Sequence, residues 1–501
     1  MQKSNCLQKS KRVIDISFIS VIMAKVGRHR GCALQGVSDC LRFPDGHENH
    51  EPDKMNFLSG SFCWRKYMDL LKDNLKKLYL RFLIPSLGSA MVMSIYTLTD
   101  AIVIGKGVGP DALAALSITT PLLCILMSTG ILFGVGGSVQ LNVCRGSGEE
   151  EKANRFFTLS FAALAVVTLL LWAGYGFGSS ALLRVMGAND TLYPYAMAYM
   201  KYINLFLPVA VFSNYVAIFV RADGDPNRAM FGVILGGIVN IVLDIIFVFP
   251  MQMGIGGAAL ASVIGMVIQV LVGGSHFLSR GNRLRFIRPK HVISSVGRII
   301  GNGIPSFFNE FANGFIVLLF NIQILKYCGD AALSVYSVIS NCVILFNSLF
   351  TGVGQSIQPA IAANYGAEKW ERIKKIRSMA LVTTILMGVI FSMSGILFPE
   401  GVGSVFTNLD EEMRSIARRG IRLYFIAFLP MGINLLTSYY LQSVLHVKRS
   451  LCISLLRNII LSSVAILSFP ILFGANSLWV VMPAVESVVL VVSIIFLRTR
   501  G

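Results

Sequence analysis

Charge is scarce in this sequence. Asp, Glu, Lys and Arg together make 14% of its 501 residues, against about 25% in soluble globular domains. With 54% apolar residues and a mean hydropathy of +0.67, that shortage excludes an ordinary soluble enzyme. The nine cysteines form no CxxC pair, so neither a disulfide framework nor a cysteine-held metal is expected. The six histidines include no HExxH or similar ligand spacing. No catalytic motif of a soluble enzyme occurs, so the chain is not read as an enzyme and no cofactor is expected. The fold class that remains is an all-α polytopic membrane protein.

Long apolar runs are abundant. Twelve predicted transmembrane spans fall near residues 80–104, 112–143, 156–181, 194–220, 229–250, 255–279, 300–325, 331–362, 379–399, 417–445, 453–474 and 478–497, each long enough to cross a bilayer core. Turn signals such as Gly107 to Asp111 and Asp223-Gly224-Asp225-Pro226 divide them. The net charge of +18 does not indicate nucleic acid, because the basic residues sit in short loops and not on one face or domain. Most of them fall on one side of this layout, which predicts both termini in the cytoplasm of a multi-pass protein of the cell's inner (plasma) membrane. Arg414, Arg418, Arg419 and Arg422 disagree, since they precede the tenth span on the other side; an amphipathic, partly external helix is expected there.

Residues 1–54 are polar, mixed in charge and without a long apolar run, and are read as an extension that can be deleted, with Met55 as the true start. Residues 55–279 then form an N-lobe, 280–299 a cytoplasmic linker rich in Arg and Lys, and 300–501 a C-lobe.

One stretch carries the chemistry. Phe231 to Pro250 is nearly pure hydrocarbon, yet it holds Asn240 and Asp244, four residues apart and on one helical face, with Gly236 and Gly232 continuing the row. A carboxylate at bilayer depth costs about 2.5–3.5 kcal/mol on insertion scales, so it belongs inside protein and marks function. The glycine row lets another helix approach closely, and the face is read as an ion or proton site.

The halves repeat. Pro85 falls on Pro305 and Ala112–Ile118 on Ala332–Val338 at a shift of 220, Gly134–Ser138 and Gln140 on Gly352–Ser356 and Gln358 at 218, and Tyr202–Pro208 on Tyr424–Pro430 at 222. Six spans separate the copies, so the two six-helix lobes are parallel and related by a pseudo-two-fold axis along the membrane normal, with the substrate path between them.

These features resemble the multidrug and toxic compound extrusion (MATE) family, through TDAIVIGKGVGPDALAAL (Thr99 to Leu116), RGSGEEEKA after the second span, and NIVLDIIFVFPMQMGIGGAALAS (Asn240 to Ser262); the DinF-like bacterial branch is the nearest match. The resemblance implies a V-shaped cavity between the lobes and export of small organic cations or drugs in exchange for Na+ or H+. It carries a cation site over to Asp100, Asn214, Asn240, Asp244 and Ser262, where Ser262 stands for the usual threonine, with Na+ at Asp100, Asn240 and Asp244 as one possibility. It matches Glu310 to an acidic position of the seventh span, while the tenth-span aspartate of some members has no counterpart among Tyr439, Tyr440 and Gln442.

Two carboxylates in a dry cavity repel each other, so one is expected to hold a proton near neutral pH. Carboxylate, amide and hydroxyl oxygens equally suit a hard cation. Glu310 is assigned to cationic substrate because an acid in a low-dielectric cavity attracts organic cations; pairing with a basic group such as Lys201 is the alternative. Gln140 and Gln358 join the substrate side, Glu486 in the last span is a further acid, and Pro85 offers a hinge because its missing N–H weakens the helical ladder. A lipid-linked oligosaccharide flippase of the same superfamily ranks second, since it would prefer a basic cavity. An intramembrane aspartyl protease lacks its GxGD segment here, and a channel fits duplicated lobes less well. The chain is expected to act as a monomer in the lipid bilayer.

Overall fold

Asn74 opens the first helix by accepting hydrogen bonds from the Lys76 and Lys77 amides at 3.0 and 3.4 Å, which satisfies two donors that a helix start leaves free. The computed structural model describes residues 69–406 and 410–498, apart from the side chains of residues 313 and 406; the expectations for residues 1–54 and for Met55 lie outside them. Among the described residues all regular structure is helical.

The N-lobe comprises α1 (Leu75–Gly107), α2 (Pro110–Gly146), α3 (Glu150–Val185), α4 (Tyr193–Leu205), α5 (Leu207–Ala222), α6 (Pro226–Val248) and α7 (Gly254–Gly274). The C-lobe comprises α8 (Val292–Cys328), α9 (Asp330–Gly366), α10 (Trp370–Leu397), α11 (Pro399–Phe406), α12 (Glu411–Phe425), α13 (Phe428–Ser443), α14 (Val447–Leu455), α15 (Leu461–Phe473) and α16 (Val481–Arg498). A π-turn at Leu456–Ile460 joins α14 to α15. Eleven of the helical segments are long and apolar enough to span a membrane, and α4 with α5, bent by 60° at Phe206, makes a twelfth. Each span read from the sequence falls on one of them, five of the twelve overrunning its carboxyl end by one or two residues.

The repeat is written into the backbone as well as the side chains. Left-handed residues recur in pairs at Gly109 and Gly329, Gly148 and Glu368, Gly224 and Leu445, and Gly254 and Gly474. Each pair is 220 or 221 residues apart, so the same turns close the same helices in both lobes. At Glu368 (φ 55°) and Leu445 (φ 58°) the C-lobe keeps the turn without the glycine that makes it cheap.

The lobes meet through glycines. A Cβ at Gly146 would stand 1.9 Å from the Ala363 carbonyl oxygen, and one at Gly366 would stand 1.9 Å from that of Val143. This reciprocal contact of equivalent residues puts the pseudo-two-fold axis between α2 and α9. Further along, Gly136 of α2 and Gly303 of α8 bring a Cβ within 2.0 Å of the Ile299 and Leu132 oxygens. Small residues are what allow membrane helices to close on van der Waals contact where no hydrophobic force acts between them. All four lie toward the end of the bundle where α1 and α8 begin and α2 and α9 finish. Arg221 of α5 crosses the same seam to donate to Gln355 of α9 at 2.6 Å.

The leading segments cross over. Before α1, the Leu70 carbonyl accepts from Asn364 and Arg372 and the Leu71 carbonyl from Lys369, all on the C-lobe. Before α8, the Arg283, Arg285 and Ile287 amides donate to Asp223, Asn154 and Thr158 of the N-lobe. The stretch read as linker is therefore docked, and α8 begins within it at Val292.

One sequence expectation acquires physical form. Asp410 caps α12 through the Met413 amide at 2.8 Å, Arg418 pairs with Glu400 at 2.6 Å and Arg422 donates to the Ile396 carbonyl. The four arginines are the exposed face of an amphipathic helix end. Pro85 is buried within α1, which runs on unbroken through it; the sharp bend occurs instead in the fourth span.

Candidate functional site

The buried face of α6 is Gly232, Gly236, Asn240 and Asp244, with Val233, Gly237 and Val248 at its margins. Gly236 and Gly265 face each other so closely that a Cβ on either would lie 2.5 or 2.7 Å from the other's carbonyl oxygen. α7 is thereby drawn against α6, and Asn240 Nδ2 donates to Ser262 Oγ at 3.1 Å. On the other side a Cβ at Gly237 would meet Val92 at 2.8 Å and Tyr96 at 3.4 Å, both on α1. That contact carries Asp100, one turn beyond Tyr96, to within electrostatic range of Asp244. Tyr199 of α4 closes the group, buried beside Ser262 and within range of both carboxylates.

The electrostatics of this group are unusual for what they lack. Asp244 is 0% exposed and Asp100 9%, and neither forms an ion pair among the described residues. Both oxygens of Asp244, Oδ1 of Asp100 and Oδ1 of Asn240 are buried acceptors with no donor. Burying such atoms without compensation costs several kcal/mol for a charged group. The arrangement therefore calls for a proton or a cation from outside the chain. Two carboxylates, an amide oxygen and a hydroxyl make an all-oxygen donor set of the kind hard cations take, so the residues fit Na+ as well as H+. No cluster of three or more His, Cys, Asp or Glu able to hold a metal occurs among the described residues.

The structure thus gathers Asp100, Asn240, Asp244 and Ser262. Asn214 takes another direction, donating from α5 to Met127 Sδ of α2 at 3.4 Å. Tyr96 and Tyr199 were not singled out in the sequence, although Tyr96 lies four residues before Asp100 and so shares its helical face.

Glu310 of α8 is half-buried, and among the described residues it has no ion pair; Lys201 is exposed on α4. Glu310 lies within electrostatic range of Cys124 on α2 and of Tyr439 on α13, so it faces the seam between lobes. Its neighbour Asn309 turns away, accepting from Asn458 at 2.6 Å. Gln358 donates to Gln442, which also bonds Ser306, and Gln140 is buried on α2. Both glutamines sit in the glycine-closed half of their helices. With Ser138, Asn142, Arg221 and Gln355, and with the apolar Val139, Ile218, Ala222 and Pro359, Gln358 lines a small pocket across the seam. Glu486 is fully buried against Arg457.

Comparison with known proteins agrees with this architecture. The MatE family profile matches residues 85–246 and again 305–467, once per lobe. Multidrug export protein MepA of Staphylococcus saprophyticus is 24% identical over 420 residues, covering 81% of this chain and 89% of that protein; MepA of Staphylococcus aureus is 24% identical over 427 residues with the same coverage. Among solved structures, a multidrug resistance MATE family transporter of the MOP superfamily in an outward-facing conformation superposes with a TM-score of 0.77 at 22% identity, over 86% of this chain and 96% of that one. A MATE transporter in a straight conformation reaches 0.79 at 22% identity, with the same coverage.

Proposed function

This chain belongs to the MatE family, and from that premise we propose that it is a secondary antiporter of the plasma membrane that exports small organic cations, drugs among them, in exchange for Na+ or H+. The observation that supports this most directly is the set of buried, donorless oxygens on Asp100, Asn240 and Asp244. A structural role would supply those atoms with partners; an exchange site has to leave them for the ion.

The cycle follows from two states of the glycine seam. On the orientation expected from the basic loops, the glycine-closed end, where α1 and α8 begin, faces the cytoplasm. Glu310, on the seam and without a basic partner, receives cationic cargo. When a proton or Na+ enters the N-lobe group, it removes the repulsion between Asp100 and Asp244 and lets α1 settle against α6. Pro85 is the place where α1 can yield as this happens, since no amide there holds the helical ladder. An ion that bound both arrangements equally would shift nothing, so the drive comes from the closer approach of the two acids in one of them.

The test is efflux of a fluorescent organic cation from proteoliposomes under an imposed Na+ or H+ gradient, with Asp244→Asn as the control. Efflux driven by one gradient and lost in Asp244→Asn is expected. If neither gradient drives wild-type efflux, the antiporter reading fails.

A further inference from the structure

The polar interior of the C-lobe is assembled from the counterparts of the helices that build the N-lobe site, and it is finished differently. In the N-lobe the fifth and sixth spans supply Asn240, Asp244 and Ser262. In the C-lobe the matching eleventh and twelfth spans supply Arg457, Asn458 and Glu486. Arg457 Nε donates to Glu486 Oε1 at 2.6 Å and its Nη2 to Asn347 Oδ1 at 3.4 Å. Asn434 of α13 donates to Glu486 Oε2 and to its backbone carbonyl, both at 2.8 Å, and accepts from Ser493 at 2.9 Å. Arg457 is 5% exposed and Glu486 0%. None of these side chains has a buried polar atom without a partner.

Both Arg457 and Asn458 lie in the π-turn at Leu456–Ile460. From adjacent positions in the chain Arg457 reaches α16 and Asn458 reaches Asn309 of α8. A guanidinium keeps its charge at every physiological pH and presents several fixed donors. It satisfies the C-lobe acid permanently, where the N-lobe acids have nothing.

We propose that Arg457 is a tethered cation: it fills the C-lobe position that a free coupling ion would otherwise take, and so confines ion exchange to the N-lobe. This rests on the antiporter reading and adds to it the determinant of how many lobes exchange ions. The full-length protein in nanodiscs is assayed for binding of radioactive Na+ and, with an indicator dye, for proton uptake. In an Asp244→Asn background, adding Arg457→Met is expected to restore a cation uptake comparable to the one Asp244→Asn removed, and adding Glu486→Gln to that variant to abolish it again. If Asp244→Asn with Arg457→Met binds no more of either cation than Asp244→Asn alone, the proposal is overturned.

Because Arg457→Met leaves an acid unpaired, the neutral pair Arg457→Met with Glu486→Gln provides a second arm that removes both charges together. Once shown folded by gel filtration, it is expected to keep gradient-driven efflux with wild-type ion dependence. Loss of that drive in the folded variant would place the pair inside the exchange cycle and sink the proposal. Failure of the antiporter reading looks different: Asp244→Asn then binds as many cations as wild type, while the effect of Arg457→Met is still read against it.

Discussion

The two lobes solve one problem in opposite ways. Each buries acid among apolar helices, but the C-lobe surrounds Glu486 with Arg457 and Asn434, whereas the N-lobe leaves Asp100 and Asp244 with only an amide, a hydroxyl and tyrosines nearby. A satisfied network holds one geometry and resists change. An unsatisfied one changes its energy with whatever ion is present. On the proposed reading, the difference separates the half that exchanges ions from the half that does not within a duplicated fold.

That contrast can be broken most plainly at Asp244. Asp244→Asn is expected to reduce gradient-driven efflux to the uncoupled background while leaving thermal stability equal or higher, since it removes an unpaired buried charge; melting in detergent alongside vesicle efflux checks both. The same chemical change in the other lobe should act with the opposite sign. Glu486→Gln strands the Arg457 guanidinium and is expected to lower stability by about 3–5 kcal/mol, the usual cost of orphaning a buried partner, measurable as a lowered melting temperature. A stable Glu486→Gln protein would erase the distinction between the lobes.

The seam sharpens the comparison at a smaller scale. Gly366→Val forces a side chain against the Val143 carbonyl and should disfavour the closed end by about 1–3 kcal/mol, the range for overpacking. Cys144, buried beside that crossing, should then react faster with maleimide, read by mass spectrometry. Pro85→Ala restores an amide to α1 and is expected to slow ion-coupled efflux without changing ion binding; unchanged efflux would remove the hinge. Smallest of all, Arg418→Ala breaks an exposed pair with Glu400 and should cost less than about 1 kcal/mol, which contrasts surface arginine with the buried Arg457.

Much of this was legible beforehand for a physical reason. Helical periodicity alone put Gly232, Gly236, Asn240 and Asp244 in one row, and a row is a local property. The repeat was legible because the two copies keep similar local sequence at a nearly constant shift. What escaped was whatever depends on how helices rotate against each other. Asn214 donates to Met127, a contact between helices that no pattern along one helix contains. The Arg457–Glu486 pair joins residues 29 positions apart on different helices. Its one available signal was an arginine in the middle of an apolar run, a residue type that seldom stands there without a partner.

The crossed leaders give the molecule a mechanical constraint. Residues 70–73 are gripped by one half and 283–287 by the other, so each half holds the root of its neighbour's first helix. Tilting either half tugs on both roots at once, like two people who each hold the other's sleeve. The stretch joining them is thus tied at both ends, like a harness.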